Sequence, residues 1–276
     1  MTTLPQLGIL GCGVMAEAIL SRLLAQGYYQ PDQVIVTALS GQRQAWLGET
    51  YGVKIAPTNR DLLQAPTLLL SIKPQVFPDI LQELDPPIVS SGLLLSIVTG
   101  INLGSLEQAF PGRGIIRAVP NTPVLVGAGI TAIAGLPTLT AQELQQAETF
   151  FKVIGEVITV PEKLLNSVTA LAGSGPAFAA LILEALTDGG VLVGLPRATA
   201  QKLVLATMSG TIKLLQEKNL HPGQLKDQVT SPGGTTITGL SVLESAGVRG
   251  ALIKTIQAAQ ARAIELGNAL ESNKQT

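Results

Sequence analysis

The stretch that most constrains the fold is "GILGCGVMA" at residues 8–16. A short apolar run, "LGIL", leads into it, and "VMAEAILSRLLAQG" follows with its leucines and isoleucine on one helical face. Gly27 ends that pattern, as glycine commonly does after a helix. A strand, a glycine turn and a helix in this order are typical of a βαβ unit in a parallel sheet.

Further apolar runs alternate with helical patterns along the first part of the chain. We predict strands at 7–10, 33–39, 53–56, 67–72, 92–98, 114–119 and 129–134. Nearly continuous apolar strands are typical of parallel sheets that are covered on both faces. The sequence therefore predicts an α/β N-terminal domain with a doubly wound, mostly parallel sheet, over residues 1–160.

The character of the sequence changes after "VITVPEK" at residues 157–163. No strand pattern follows, and the helical patterns are rich in small residues, with apolar residues three and four apart. We predict an all-α C-terminal domain over residues 161–276. Its alanine- and glycine-rich helices could pack closely against another subunit.

Composition excludes some classes of protein and favours a homo-oligomer. The 18 lysines and arginines nearly balance the 19 acidic residues among 276, which argues against a nucleic-acid or membrane-surface binder. Only 13% of residues are charged and 46% are hydrophobic, so a second copy is the simplest cover for much of the surface. Cys12 is the only cysteine, which excludes an internal disulfide and fits a reducing cytosol.

Targeting and membrane signals are weak. The N-terminus lacks a basic region before its first apolar run, so we expect no signal peptide. Two uncharged windows, 86–106 and 164–183, are interrupted by proline, glycine, serine and asparagine. We interpret both as buried segments of a cytoplasmic protein and not as membrane spans.

The glycine turn itself predicts a dinucleotide site. Gly11, Gly13 and Ala16 give the G-x-G-x-x-A spacing of the Rossmann phosphate turn. The first glycine makes the turn, the second lets the backbone approach the pyrophosphate, and the small third residue lets helix and strand pack. The alternative is a tight turn with only a structural role.

The end of the second strand bears on the choice of cofactor. NAD enzymes usually carry an acidic residue there to bind the ribose 2′-hydroxyl, and "VIVTALSGQRQ" has none. Ser40 and Arg43 follow the strand, and a hydroxyl and a guanidinium suit a 2′-phosphate. We therefore predict NADPH in preference to NADH. The alternative is that Arg43 is a solvated helix residue.

Ligands of open parallel sheets bind beyond the carboxyl ends of the strands. The residues there that we expect to line the cofactor are Asn59, Ser71, Lys73, Pro74, Thr99, Asn121 and Thr122. Lys73 could in principle form a Schiff base or act as a general acid. We favour a simpler role, in which it tunes the charge beside the cofactor.

Several segments together resemble one family, the pyrroline-5-carboxylate reductases. They run in order from about residue 7 to 267 and include "GCGVMAEAI", "SIKPQ", "VPNTP", "ALAGSGPAF" and "LKDQVTSPGGTT". The resemblance implies an NAD(P)H-dependent enzyme that reduces 1-pyrroline-5-carboxylate to L-proline, the last step of proline biosynthesis. It also implies a Rossmann domain followed by a helical dimerisation domain, with active sites shared across the dimer and further assembly into decamers.

The resemblance also assigns site residues. It places cofactor contacts on the glycine turn and on later loops: Gly8, Gly11, Gly13, Val14, Met15, Ser40, Asn59, Ser71, Lys73, Pro74 and Thr99. The family's substrate loop falls on Ser231, Gly234, Thr235 and Thr236, and Thr236 matches the threonine proposed to hydrogen-bond the ring nitrogen. The chain departs from the family pattern at Val14, Ala172 and Phe178. Ala172 removes a hydroxyl and puts any role of that serine in doubt.

The "SPGGTT" loop precedes a predicted helix and can direct several backbone N–H groups at an anion. The substrate carboxylate would be that anion. The imine nitrogen can take its proton from water, so the chemistry requires no strong buried acid, and orientation of the reactants would supply most of the rate. Thr236 could steer the nitrogen or relay a proton.

Other polar residues near this loop have simpler interpretations. We interpret His221, in the turn "NLHPG", as structural. Lys226 and Asp227 could pair and hold the loop. We expect no metal site.

Three other functions remain open at the level of sequence. A 3-hydroxyacid dehydrogenase of the same topology would need a lysine base on the "ALAGSGPAFAALILEAL" helix, which has none. Reduction of another cyclic imine is a related possibility. A non-catalytic NADPH-binding protein could keep the glycine turn without needing "SPGGTT".

Overall fold

The computed structural model describes residues 5–84 and 91–272. Its strands are β1 Leu7–Leu10, β2 Val34–Val36, β3 Lys54–Ile55, β4 Thr67–Leu70, β5 Gly92–Ser96, β6 Arg113–Val119, β7 Gly129–Gly135 and β8 Gly155–Thr159. Its α-helices are α1 Val14–Ala25, α2 Gly41–Tyr51, α3 Phe77–Leu84, α4 Leu103–Ala109, α5 Ala141–Lys152, α6 Leu165–Val168, α7 Gly175–Leu192, α8 Arg197–Lys218, α9 Pro222–Gln228, α10 Thr235–Ser245 and α11 Val248–Ser272.

The eight strands form one sheet in the order β3-β2-β1-β4-β5-β6-β7-β8. Neighbouring strands are parallel except for β6 and β7, which pair antiparallel. The predicted doubly wound, mostly parallel sheet is therefore confirmed. The chain builds outward from β1 in one direction and from β4 in the other, so the topological switch point lies between β1 and β4.

The antiparallel pair was not predicted, and the short connection explains it. Residues 120–128 join β6 to β7, and a parallel return would need a crossover of a dozen or more residues. Within this connection Gly127 adopts φ 72°, a conformation that glycine enters without steric cost. The Asn121 side chain accepts a hydrogen bond from the N–H of Ile130 at 3.0 Å and so joins the connection to β7.

The sheet separates two hydrophobic layers. Alternate residues of one strand point to opposite faces, so Leu93 and Leu95 lie in one layer and Leu94 lies in the other. The first layer contains residues of α1, α2 and α5, and the second contains residues of α3 and α4. Because both faces of the sheet are buried, its strands have nearly continuous apolar sequences.

Contacts divide the chain into two compact units. One comprises Met1–Ser174 with Ala259–Thr276, and the other is Gly175–Ala258. The end of α11 belongs to the first unit, where Gln260 donates a hydrogen bond to Ser167 Oγ at 2.6 Å. This division differs from the predicted boundary at residue 160, which remains a proposal.

The second unit consists of the helices α7, α8, α9, α10 and the first part of α11, joined by loops. No strand follows β8 in the described residues, as the patterns predict. A continuous helical run from Glu162 to Leu192 is long and apolar enough to cross a membrane, with only 6% of its most apolar window buried. From the sequence we predicted that the window 164–183 is buried and not apolar enough to span a membrane. Both expectations were wrong for the described chain, because the run passes by length and composition and few residues of the window are buried.

Candidate functional site

A cleft of about 620 Å³ lies in the first unit, beyond the carboxyl ends of β1, β4, β5 and β6. It is therefore at the switch point, where open α/β sheets bind ligands. Its walls come from five segments of the chain: Gly13, Val14, Met15; Ser71, Ile72, Lys73, Pro74; Ile97, Val98, Thr99; Arg117, Ala118, Val119, Pro120; and Asn166, Thr169, Gly173, Ser174.

The glycine turn shapes one wall of this cleft. Gly11 has φ 85°, and a Cβ there would lie 2.6 Å from Ile72 Cγ2 and 2.9 Å from the Ser71 carbonyl oxygen. Gly13 is the N-cap of α1, and a Cβ there would meet no protein atom within 4 Å. The first glycine is thus required by the protein itself, whereas the second leaves open space where a ligand can approach the backbone.

Seven of the predicted cofactor residues line the cleft together: Gly13, Val14, Met15, Ser71, Lys73, Pro74 and Thr99. Val14 is 81% exposed there, at the first position of α1. Lys73 precedes a 3₁₀ turn, Pro74–Val76. No ion pair of Lys73 is found among the described residues, so its ammonium group gives this wall a positive charge.

Other predicted residues do not line the cleft. Gly8 lies buried inside β1, and a Cβ there would be 2.9 Å from the Leu62 carbonyl oxygen, which gives this glycine a packing role. Asn121 is buried, and its side chain accepts the hydrogen bond from Ile130 N–H described above. Thr122 is the first residue of the following 3₁₀ turn. Asn59 begins the 3₁₀ segment after β3 and donates to Glu83 Oε2 at 2.8 Å.

Ser40 and Arg43 lie together after β2, as predicted. Ser40 is the N-cap of α2, and its hydroxyl accepts from the N–H of Arg43 at 3.2 Å. The Arg43 side chain reaches the glycine turn, where Nε donates to the Cys12 carbonyl oxygen at 3.3 Å. Its guanidinium also forms an ion pair with Glu17 of α1.

Sequence reasoning missed the residues that α6 and the turn after it contribute. Residues Thr169–Gly173 form a π-helical turn between α6 and α7, a geometry common at functional sites. This segment places Asn166, Thr169 and Ser174 in the cleft wall. The quoted "ALAGSGPAF" segment was a signal for the family, but no local pattern placed it beside the glycine turn.

Arg117 was missed as well. It lies in β6, where a charged residue inside an apolar strand was the available signal. Its guanidinium donates to Glu162 Oε1 at 2.6 Å, and the same oxygen accepts from the N–H of Leu103 at 2.7 Å. This ion pair is mostly buried, and it holds a guanidinium in the cleft wall with its charge offset by Glu162.

The predicted substrate residues lie in the second unit, on the loop before α10. Gly234 is the N-cap of α10, and its N–H donates to the Ser231 carbonyl oxygen at 3.1 Å. Gly233 has φ 67°, which lets the loop turn into the helix. Thr235 and Thr236 are the first two residues of α10, so the loop places both at the positive end of an eleven-residue helix dipole.

The neighbouring polar residues have structural roles. His221 is the N-cap of α9, and its Nδ1 accepts from the N–H of Gly223 at 3.1 Å. Lys226 Nζ lies 3.7 Å from Asp227 Oδ1, in an exposed pair that contributes little to stability. The Thr230 hydroxyl donates to the Lys226 carbonyl oxygen, which ties α9 to the start of the loop.

A doubly wound sheet, a glycine turn at its switch point and a cleft at that turn together define a dinucleotide-binding protein of the Rossmann class. The sequence model "NADP oxidoreductase coenzyme F420-dependent" matches residues 6–100. The model "Pyrroline-5-carboxylate reductase dimerisation" matches residues 162–266.

Individual pyrroline-5-carboxylate reductases match this chain along nearly its whole length. The pyrroline-5-carboxylate reductase of Synechocystis is 49% identical over 263 residues, which cover 95% of this chain and 98% of that protein. The crystal structure of Plasmodium falciparum pyrroline carboxylate reductase with NADP bound superposes with a TM-score of 0.86 at 28% identity, and the Coxiella burnetii reductase with 0.83 at 33%. These matches cover 97% and 96% of this chain and 99% of each of those chains. The chain belongs to the pyrroline-5-carboxylate reductase family.

Proposed function

We propose that this protein reduces 1-pyrroline-5-carboxylate to L-proline with NADPH as the hydride donor. The observation that carries the proposal is the 49% identity to the Synechocystis reductase, which spans both the cofactor cleft and the "SPGGTT" loop. A non-catalytic NADPH-binding protein would have no need of that loop. The likeness to the reductases extends far beyond the shared fold, which disfavours a hydroxyacid dehydrogenase.

The residues of the cleft fit a dinucleotide. Open space beside Gly13 and the N-terminus of α1 suit a pyrophosphate, and Lys73 adds a positive charge. Ser40 and Arg43 suit the 2′-phosphate that distinguishes NADPH from NADH. The NADP-bound Plasmodium structure supports the same choice of cofactor. NADPH, when bound, supplies the hydride for the substrate carbon.

The loop before α10 would bind the substrate through its carboxylate. The N–H groups of the first helical turn have no partners within the helix, and the helix dipole favours an anion at this end. Ser231 and Thr235 are exposed in the described chain and so are accessible to a small ligand. Fixing the carboxylate leaves the ring only a limited set of orientations, which is the main source of rate in this proposal.

The proton for the ring nitrogen would come from water or through the Thr236 hydroxyl. An imine nitrogen is basic enough that a positioned hydroxyl suffices, and no carboxylic acid is needed beside it. Lys73 gives the cleft a positive charge, which suits an anionic cofactor and an anionic substrate, whereas the charge of Arg117 is offset by Glu162.

We also propose that the helical part forms a homodimer with shared active sites in the cytoplasm, and that dimers can assemble into decamers. The dimerisation match at residues 162–266 supports the dimer. Many large apolar side chains of this part are exposed in a single chain, among them Leu181, Leu192 and Val193. A second copy is a better cover for them than a membrane, because the Glu162–Leu192 run lies entirely inside the dimerisation match.

The direct test is an assay with purified protein, NADPH and 1-pyrroline-5-carboxylate, following the absorbance of the reduced cofactor and the proline formed. We expect rapid oxidation of NADPH with stoichiometric proline, and slower turnover with NADH at equal concentration. Binding of NADPH without substrate-dependent oxidation would contradict the proposal. In that case a panel of other cyclic imines and of hydroxyacids would identify the reaction.

A further inference from the structure

Arg43 is already engaged by a carboxylate of its own chain. Its guanidinium forms an ion pair with Glu17 through Nη2, Nε donates to the Cys12 carbonyl oxygen, and the group lies 4.7 Å from the ring centroid of Trp46. These contacts place it at the junction of α1 and α2, next to the glycine turn. Among the described residues no acceptor contacts Nη1, so one edge of the guanidinium remains for an anion.

Glu17 is held in place by a second donor. The Tyr51 hydroxyl donates to Glu17 Oε1 at 2.9 Å, while Oε2 faces Arg43. Burial, together with this hydrogen bond, raises the pKa of Tyr51 to about 12, so the phenol stays a donor at physiological pH. The Arg43 and Glu17 side chains are 29% and 24% exposed, so water screens the pair only in part.

We propose that Glu17 weakens the preference of this protein for NADPH over NADH by partly neutralising Arg43. The inference rests on the proposed function, since it takes the 2′-phosphate to bind at Arg43. A 2′-phosphate on the free edge of the guanidinium would lie within several ångströms of the Glu17 carboxylate and would be repelled by it. A 2′-hydroxyl carries no charge, so NADH would not feel this repulsion.

The test compares Glu17→Gln with the unmodified protein in kcat/KM for each cofactor. We expect the NADPH/NADH ratio to rise about threefold to tenfold, the effect of one screened charge at a few ångströms. The change should fall on the KM for NADPH, with kcat and the NADH values unchanged. It should also shrink at high ionic strength, because salt screens a partly exposed pair.

Matched variants separate the effect of Glu17 on the cofactor preference from the general effect of removing one negative charge. Glu49→Gln removes the same charge from an exposed position of α2 that has no ion pair among the described residues, and should leave the ratio unchanged. In an Arg43→Gln background, which itself should lower the ratio, Glu17→Gln should still raise it, because the carboxylate repels a 2′-phosphate whether or not the guanidinium is present. An unchanged or lowered ratio in Glu17→Gln, or an equal rise in Glu49→Gln, would overturn the inference.

Binding measurements keep this result distinct from a failure of the proposed function. Titration of each variant with NADPH and with NADH, without substrate, reports the same ratio as dissociation constants. If NADPH binds more tightly to Glu17→Gln but no proline forms, the inference stands and the proposed reaction fails. If Glu17→Gln instead weakens NADH binding, the carboxylate binds the ribose and the inference is wrong.

Discussion

At the scale of single residues, the two glycines of the turn have different roles: one is required by the fold, and the other leaves space for a ligand. Gly11 is required because its φ of 85° and its approach to Ile72 and Ser71 exclude a side chain. A Cβ at Gly13 would meet no protein atom within 4 Å, so the small size of this residue leaves room for a ligand in the cleft. A G-x-G pattern therefore combines two separate constraints, which substitutions can distinguish.

Gly11→Ala should destabilise the protein as well as weaken NADPH binding. The new Cβ would clash with Ser71 backbone and the residue would keep an unfavourable φ, at a cost of roughly 1–3 kcal/mol. Thermal melting and a fluorescence titration with NADPH would measure both effects. Gly104→Ala in α4, where the nearest atom would be 3.6 Å away, is the control and should melt no lower than the unmodified protein, because alanine favours a helix over glycine. An unchanged melting temperature in Gly11→Ala would contradict this account.

Cys12 should react slowly with thiol reagents in the folded protein. It is buried, and its burial raises the pKa to about 12, so its thiolate fraction at pH 8 is roughly a thousandfold below that of a free thiol. The labelling rate should keep rising above pH 9 instead of levelling off. One thiol per chain should react at once in denaturant. Rapid, complete labelling of the folded protein at pH 8 would show that the thiol is accessible.

The same pKa has a consequence for stability. The unfolded thiol ionises at a lower pH than the folded one, so between about pH 9 and 12 the unfolded state binds fewer protons. The free energy of unfolding is therefore unaffected by Cys12 below pH 9 and falls as the pH rises toward 12. Cys12→Ala should make that decline less steep.

At the scale of elements, local sequence patterns predicted seven of the eight described strands, whereas β8 and the helices α3, α4 and α5 were not predicted individually. A capping box starts α5: the Thr140 hydroxyl accepts from the N–H of Glu143 at 3.2 Å, and Glu143 accepts from the N–H of Thr140 at 2.8 Å. This reciprocal pair satisfies two N–H groups that the helix leaves open. Such signals involve residues three apart and are readable without a structure.

Thr140→Ala should lower the free energy of unfolding by about 1 kcal/mol, the usual cost of losing an N-cap. Urea denaturation followed by circular dichroism would measure it. Thr149→Ala on the same helix is the matched control, since the Thr149 hydroxyl is exposed and bonds only to the Gln145 carbonyl of its own helix at 2.8 Å. Equal losses in the two variants would mean that the cap contributes nothing specific.

Two features that were not predicted, the π-helical turn and the direction of β7, depend on contacts between residues distant in sequence. The π-helical turn at Thr169–Gly173 carries no pattern that distinguishes it from the helices on either side. The direction of β7 depends on the length of its connection to β6 and on pairing with residues of that strand. Neither property is present in a local window of residues.

At the scale of the whole molecule, the proposed active site requires two sets of residues from separate compact units. The cofactor cleft lies in the first unit and the "SPGGTT" loop lies in the second. We propose that a complete site takes each set from a different copy of the chain. A mixture of two defective variants can test this directly.

Gly13→Val should block the cofactor cleft, since even its Cβ would project into open space beside the glycine turn, and Thr236→Val should impair the substrate loop. Co-expressed with different tags, the two variants should recover activity, because one site of each mixed dimer would contain neither defect. Random pairing predicts about a quarter of the normal activity. Dimers of either variant alone are the controls. No recovery in isolated mixed dimers would place each site within a single chain.

Much about this protein could be read from its residues alone. The strand–turn–helix at residues 7–27, the alternation of elements, the family and the expectation of NADPH all follow from local patterns or ordered motifs. These features can be predicted from sequence because hydrophobic periodicity, glycine conformation and helix capping each depend on only a few neighbouring residues. The candidate cleft could also be outlined, since strand ends of a parallel sheet meet at one edge.

Only the tertiary structure decided which residues share the cleft and which serve the fold. It brought Arg117 and Ser174 to the cleft and gave Gly8 and Asn121 packing and hydrogen-bonding roles. It also revealed that Arg43 is paired with Glu17, a contact between residues 26 positions apart. Which residues are buried and which charges pair depends on how segments distant in sequence pack together, and a local pattern of residues does not determine that packing.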